Sequence, residues 1–113
     1  MATNPETVAY VLEQLEPLNV RARPMFGEFC VWCDEKVVAL ICDDTVYLKP
    51  TSTTDGQGLR EANAYPGSRL FRVAGVDLVE DSDAFRALVQ ATADALPAPR
   101  PKKLRAPRIS GGQ

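Results

Sequence analysis

The sequence has no histidine among its 113 residues, only three cysteines and a single tryptophan. Without imidazole there can be no Ser-His or Cys-His catalytic pair and no histidine-bearing metal site. Long apolar runs are also lacking. The longest, Val37-Val-Ala-Leu-Ile-Cys42, has six residues, against the roughly 18 that a membrane-spanning helix needs, so no membrane role is expected. The opening Met-Ala-Thr-Asn-Pro-Glu has neither a basic region nor an apolar core, which predicts no secretory leader and a cytoplasmic location. What is present suits one folded domain, with 45% hydrophobic and 25% charged residues.

Charge is unevenly placed. Residues 1–96 hold all fifteen acids against eight basic residues, net −7. Residues 97–113 hold Arg100, Lys102, Lys103, Arg105 and Arg108 with no acid, net +5. Four prolines and a Ser-Gly-Gly-Gln ending leave that segment few groups able to offset the entropy of ordering. The expected division is a domain over 1–96 and a flexible tail over 97–113. The five cations could contact phosphate nonspecifically, but no aromatics are interleaved for base stacking. The plainer reading is a solubilising end, or one that folds back on the acidic body.

Asn4-Pro5-Glu6 is a helix start, and Val8, Val11, Leu12 and Leu15 then line one face of a helix over 5–16. Arg21 to Met25 reads as an extended edge segment, because Pro24 has no amide to donate. The runs 28–33, 36–42 and 45–49 are separated by Asp34-Glu35 and Asp43-Asp44, which predicts a three-strand meander joined by two-residue turns. The register that follows pairs Cys33 with Lys36, Cys30 with Ala39, and Ala39 with Leu48. One face then carries Cys30, Trp32, Val37, Ala39, Ile41, Val46 and Leu48, and the other Phe29, Val31, Cys33, Val38, Leu40, Cys42 and Tyr47. Both are apolar. A helix is expected around 54–63, a turn at Tyr65-Pro-Gly67, strands at 70–74 and 76–80, and a final helix capped by Asp81 or Ser82, with Phe85, Leu88, Val89, Thr92 and Leu96 along one side.

This order predicts an α+β fold, a two-layer sandwich with an antiparallel sheet of about five strands and helices at both ends of the chain. Two long helices can cover one sheet face well and the other poorly. A symmetric dimer would cover the second face; the alternative is that loops and the weak helix do so in a monomer.

Cys30-Val-Trp-Cys33 has metal or redox spacing, with Cys42 as a third thiol. On a strand, however, Cys30 and Cys33 point to opposite faces about 10 Å apart, and Cys42, expected on the face of Cys33, lies about 20 Å away. Buried filler is the reading. The acid pairs fall in turns and helix starts, where they satisfy loose amides, and Asp55-Gly-Gln-Gly58 lacks the Lys-Ser/Thr of a phosphate loop. No cofactor is expected. Arg21, Arg23, Met25 and Phe26 form a basic-apolar cluster suited to recognition, or else an edge with Met25 and Phe26 in the core.

The stretch Arg23-Pro-Met-Phe-Gly27, its aromatic-rich strand, Asp34-Glu-Lys36, the apolar strand, Asp43-Asp44 and Tyr47-Leu48-Lys49 resembles the N-terminal domain of the TfoX/Sxy family. The helix at Tyr10–Leu15, the Tyr65-Pro66-Gly67 turn and the Leu96–Lys103 ending fit the same pattern. Glu35 stands where that family usually has glycine, and Cys30 where glycine is frequent, and the first difference is expected to bear on turn geometry. The resemblance implies a bacterial cytoplasmic protein related to competence regulators that act with the cyclic-AMP receptor protein at promoters, and a sandwich resembling secretion chaperones. It brings no catalytic residues. The expectation is therefore a non-enzymatic protein-interaction module, a transcriptional co-regulator whose partner is a protein, with Arg21, Arg23, Met25 and Phe26 or a sheet face as its docking surface. The alternatives are a small-molecule binder or enzyme using a pocket between helices and sheet, and nucleic-acid binding through residues 100–108.

Overall fold

The computed structural model describes residues 3–25 and 28–97. Helix α1 (Pro5–Leu15) starts where Asn4 caps it, the Asn4 side chain accepting from the Glu6 amide with proline in the first turn. Strands β1 (Val20–Met25), β2 (Glu28–Cys33), β3 (Lys36–Cys42) and β4 (Thr45–Leu48) follow. After them come a single helical turn α2 (Ser52–Asp55), β5 (Glu61–Asn63), β6 (Leu70–Ala74), a short helix α3 (Val76–Glu80) and α4 (Ser82–Ala95), which Asp81 caps. The sheet has six strands in the order β1-β2-β3-β4-β6-β5, every pair antiparallel.

Two elements depart from expectation. The helix around 54–63 is replaced by α2 and β5. A Thr51–Thr54 capping box holds α2 to one turn, Gly56 ends it, and Gly58 at φ +69° turns the chain back to pair with β6. The strand expected over 76–80 is helical instead. Gly75 leads the chain off β6, the Val79 amide bonds to the Gly75 carbonyl, and only Val79 is buried.

The register also shifts once. Cys33 pairs with Lys36 and Ala39 with Leu48, as read from the turns, but Cys30 pairs with Leu40 rather than Ala39. Val38 is an extra residue on β3, a bulge between the Val31–Ala39 and Trp32–Val37 pairs, and Val38 and Ala39 both turn toward the helices. The two faces are thereby re-sorted. Val31, Cys33, Val38, Ala39, Ile41, Val46 and Leu48 pack with Val8, Val11 and Leu15 of α1, Val79 of α3, and Phe85, Leu88, Val89 and Ala93 of α4. Cys30, Leu40, Cys42, Phe71 and Ala64 form a second cluster, flanked by Met25, Trp32, Val37 and Tyr47, and no helical residue belongs to it. Cys42 thus shares a face with Cys30, not with Cys33.

Both hairpin turns hold two residues at positive φ, Asp34 (53°) with Glu35 (67°) and Asp43 (51°) with Asp44 (61°). That is the backbone of a two-residue turn matched to strand twist, so Glu35 keeps the geometry that glycine would supply. The acids also tie the turns to the helices. Asp34 accepts from Gln90 Nε2 at 2.9 Å, and Asp44 accepts from the Asn4 amide at 2.8 Å and the Thr7 hydroxyl at 2.9 Å.

Candidate functional site

The helices occupy one side of the sheet, and the candidate site is the other side. On the edge strand, Val20 and Ala22 turn toward the helical core, which leaves Arg21, Arg23 and Met25 on the open face opposite Trp32, Cys30 and Glu28. The Arg21 guanidinium stacks over Trp32, 4.9 Å from the ring centroid, and donates to both oxygens of Glu35 at 3.1 and 3.2 Å. Exposed as it is, this pair adds less than about 1 kcal/mol, but it orients the indole. Arg23 and Lys49 have no ion-pair partner among the described residues. Met25 packs against the open-face cluster. Phe26 and the basic residues Arg100, Lys102, Lys103, Arg105 and Arg108 lie outside the described residues.

At one end of this face is a groove of about 230 Å³ lined by Trp32, Glu35, Lys36, Val37, Lys49, Leu96 and Pro97. Lys36 builds it. Its ammonium donates to the carbonyls of Ala93 at 2.8 Å and Leu96 at 3.1 Å, satisfying orphan acceptors at the negative end of α4 and drawing Leu96 and Pro97 against the sheet. Sequence reasoning singled out the edge strand and an apolar face but not this groove, since nothing local shows that the end of α4 meets Trp32 and Val37.

Burial pushes the thiols of Cys33 and Cys42 up to about 11 and raises that of Cys30 as well, so all three stay protonated and act as apolar filler. Glu28 is held below the usual carboxylate range, chiefly because the Thr3 hydroxyl donates to it, with the Asp43 amide helping at 3.1 Å. Among the described residues no cluster of three or more Cys, Asp or Glu is arranged to hold a metal ion, and no helix is long and apolar enough to cross a membrane.

A second concavity of about 430 Å³ lies between α1, α3 and the adjoining ends of β4 and β6. It has a floor of Val11, Val46 and Val79 and a rim that includes Tyr10, Arg60 and Glu80.

A six-strand antiparallel sheet with helices on one face and no described helix on the other is a small two-layer α+β domain. The chain belongs to the TfoX N-terminal domain family, whose model matches residues 12–96. It is also 43% identical over 108 residues, 91% of each chain, to the "uncharacterized 12.7 kDa protein in trpE 5′ region" of Spirochaeta aurantia.

Proposed function

We propose that the chain is a non-enzymatic protein-interaction module with a regulatory role, and that its docking surface is the open sheet face. The observation that carries this is the second cluster itself: Met25, Trp32, Val37 and Tyr47 are half-buried side chains of a sheet face on which no described helix packs. A contiguous set of half-buried apolar side chains without a helix over it suits an interaction site. Arg23 and Lys49 flank it without ion-pair partners among the described residues, so the fitting partner is a protein segment with an apolar centre and acidic borders. Membership of the TfoX family favours the transcription machinery as the place to look for it.

The test is a photo-cross-linking residue placed at position 37 of the full chain in cells of the source organism. The reading requires one partner, identified by mass spectrometry, that is captured from position 37, not from helix position 87, and is lost in a Tyr47→Glu chain. Equal capture from both positions would overturn it.

The cavity beside α1 favours a second reading as a small-molecule binder, because Arg60, which has no ion-pair partner among the described residues, sits at the rim of an apolar floor. Small amphipathic carboxylates should then raise the melting temperature of the natural chain but not of Arg60→Ala.

A further inference from the structure

The cavity of about 430 Å³ beside α1 has a size usual for small-molecule sites, which run from about 300 to 1,000 Å³. Three hydrogen-bonded ties preform its walls. Asp44 Oδ1 accepts from the Asn4 amide at 2.8 Å and from the Thr7 hydroxyl at 2.9 Å, which holds the start of α1 to the turn between β3 and β4. Gln14 Nε2 donates to the Val79 carbonyl at 2.8 Å, which holds α3 to the far end of α1. The Arg60 carbonyl accepts from the Val73 amide at 2.8 Å, which fixes the backbone that carries the Arg60 side chain. A ligand entering here meets walls already in place, so binding costs little ordering of the protein.

The floor and the mouth differ in chemistry. Val11, Val46 and Val79 are buried and make the floor apolar, while Tyr10 and Val76, 41% and 70% exposed, leave apolar surface uncovered at the mouth. Ionic groups of both signs stand around that mouth: Arg60 just before β5, Glu80 at the end of α3, and Asp44 in the turn. Arg60 and Glu80 form no ion pair with each other or with any other described residue, so the fold presents a cation and an anion to one cavity and keeps them apart. Asp44 Oδ2 accepts no hydrogen bond among the described residues, both bonds to its carboxylate falling on Oδ1. An unpaired guanidinium suits a carboxylate, which it can grip with two parallel bonds. An unpaired carboxylate, with the charge of Asp44 added to it, suits an ammonium. A simple apolar acid satisfies only the first of these groups and is repelled by the other two.

We propose that this cavity takes an α-amino acid with a bulky apolar side chain. Arg60 holds the α-carboxylate, Glu80 holds the α-ammonium, and the side chain lies on Val11, Val46 and Val79 with Tyr10 over it. The assignment rests on the small-molecule reading of the cavity and adds to it the second charge and the apolar end of the ligand. Because one carbon carries both charges, the ligand bridges two groups that have no partner without it.

Calorimetric titration of the full chain tests this with three probes that share one ring and differ in their charged groups: L-phenylalanine, 3-phenylpropanoate and 2-phenylethylamine. L-Phenylalanine should bind, and removal of either charged group should weaken binding at least about tenfold. Glu80→Gln should lower the affinity for L-phenylalanine by about the same factor without lowering that for 3-phenylpropanoate, and Arg60→Gln should do so without lowering that for 2-phenylethylamine. Both side chains are exposed, and the melting temperature of each variant without ligand verifies its fold. Amide shifts caused by L-phenylalanine should centre on Thr7, Val46, Gly75 and Val79. Shifts centred on Trp32 instead, or an affinity unchanged by Glu80→Gln, would overturn the proposal. Equal binding of L-phenylalanine and 3-phenylpropanoate would overturn it and leave the cavity a carboxylate site, whereas binding by none of the three would overturn both readings.

Discussion

The two faces of one sheet differ in what completes them. On the helical side Leu15, Ile41, Leu48 and Phe85 are at most 1% exposed, because α1 and α4 lay apolar stripes across the strands. On the open side the small or central residues Cys30, Leu40 and Cys42 are buried by their neighbours in the sheet, while Trp32, Val37 and Tyr47 stay half-buried. The same alternating strands feed both faces, so the difference measures what helices add: one face supplies stability and the other is left available. Removing a side chain from each side tests this. Phe85→Ala opens a cavity in the completed core and should cost about 3–5 kcal/mol. Val37→Thr and Tyr47→Ser should each cost less than about 1 kcal/mol. Urea unfolding of the three variants checks it, and equal costs would mean that the open face is as fully packed as the other.

Alkali probes both faces at once, since Cys33 lies on the helical side and Cys42 on the open side. In the folded chain both thiols are held at about 11 by burial, against an ordinary value of 9.0. Between these values the folded state keeps protons that the unfolded chain has released, so stability present below pH 9 is lost as pH rises through 11. The urea midpoint should fall steadily across that window. Cys42→Ala should remove that thiol's share and leave those of Cys33 and Cys30. A flat profile would show that neither thiol is shielded.

A smaller effect links the two layers. Lys36→Met keeps the aliphatic stem but withdraws the ammonium from the Ala93 and Leu96 carbonyls. It should cost about 1 kcal/mol and loosen Leu96 and Pro97 from the groove, which faster amide exchange over residues 93–96 would report. Unchanged exchange there would show that the groove stands without this anchor.

How much of this was visible beforehand depends on how far each feature reaches along the chain. The helices α1 and α4 announce themselves by caps and by apolar spacing over three or four turns, and the meander by two acid pairs at the right interval. The bulge at Val38 leaves no such mark. Residues Val37 to Cys42 are all apolar, so a one-residue slip changes which side chains face the helices without placing a polar group wrongly. Val76-Asp-Leu-Val-Glu80 is too short for a strand period to be told from a helical one. The groove is a meeting of the end of α4 with Trp32 and Val37, residues some 60 positions apart, and no local pattern encodes it. Asp34 and Asp44 were readable as structural turn acids, but their ties to Gln90 and to Thr7 were not.

The smallest expected effect concerns Glu35, where the two faces meet at a turn. A side chain at φ +67° is strained relative to glycine by roughly 1–2 kcal/mol. Asp34 and Asp44 hold helices in return, whereas among the described residues the only side-chain partner of Glu35 is the exposed Arg21, and that pair contributes little. Glu35→Gly should therefore stabilise the fold by about 0.5–1 kcal/mol, the relief of strain being partly offset by the greater freedom of glycine in the unfolded chain. It should also release Arg21 from its carboxylate partner and leave the Trp32 stack held by the ring alone. If strain at this position is retained for recognition, the same substitution that raises the melting temperature should weaken whatever docks beside Trp32. A stabilised variant with undiminished docking would assign Glu35 to the turn and nothing else.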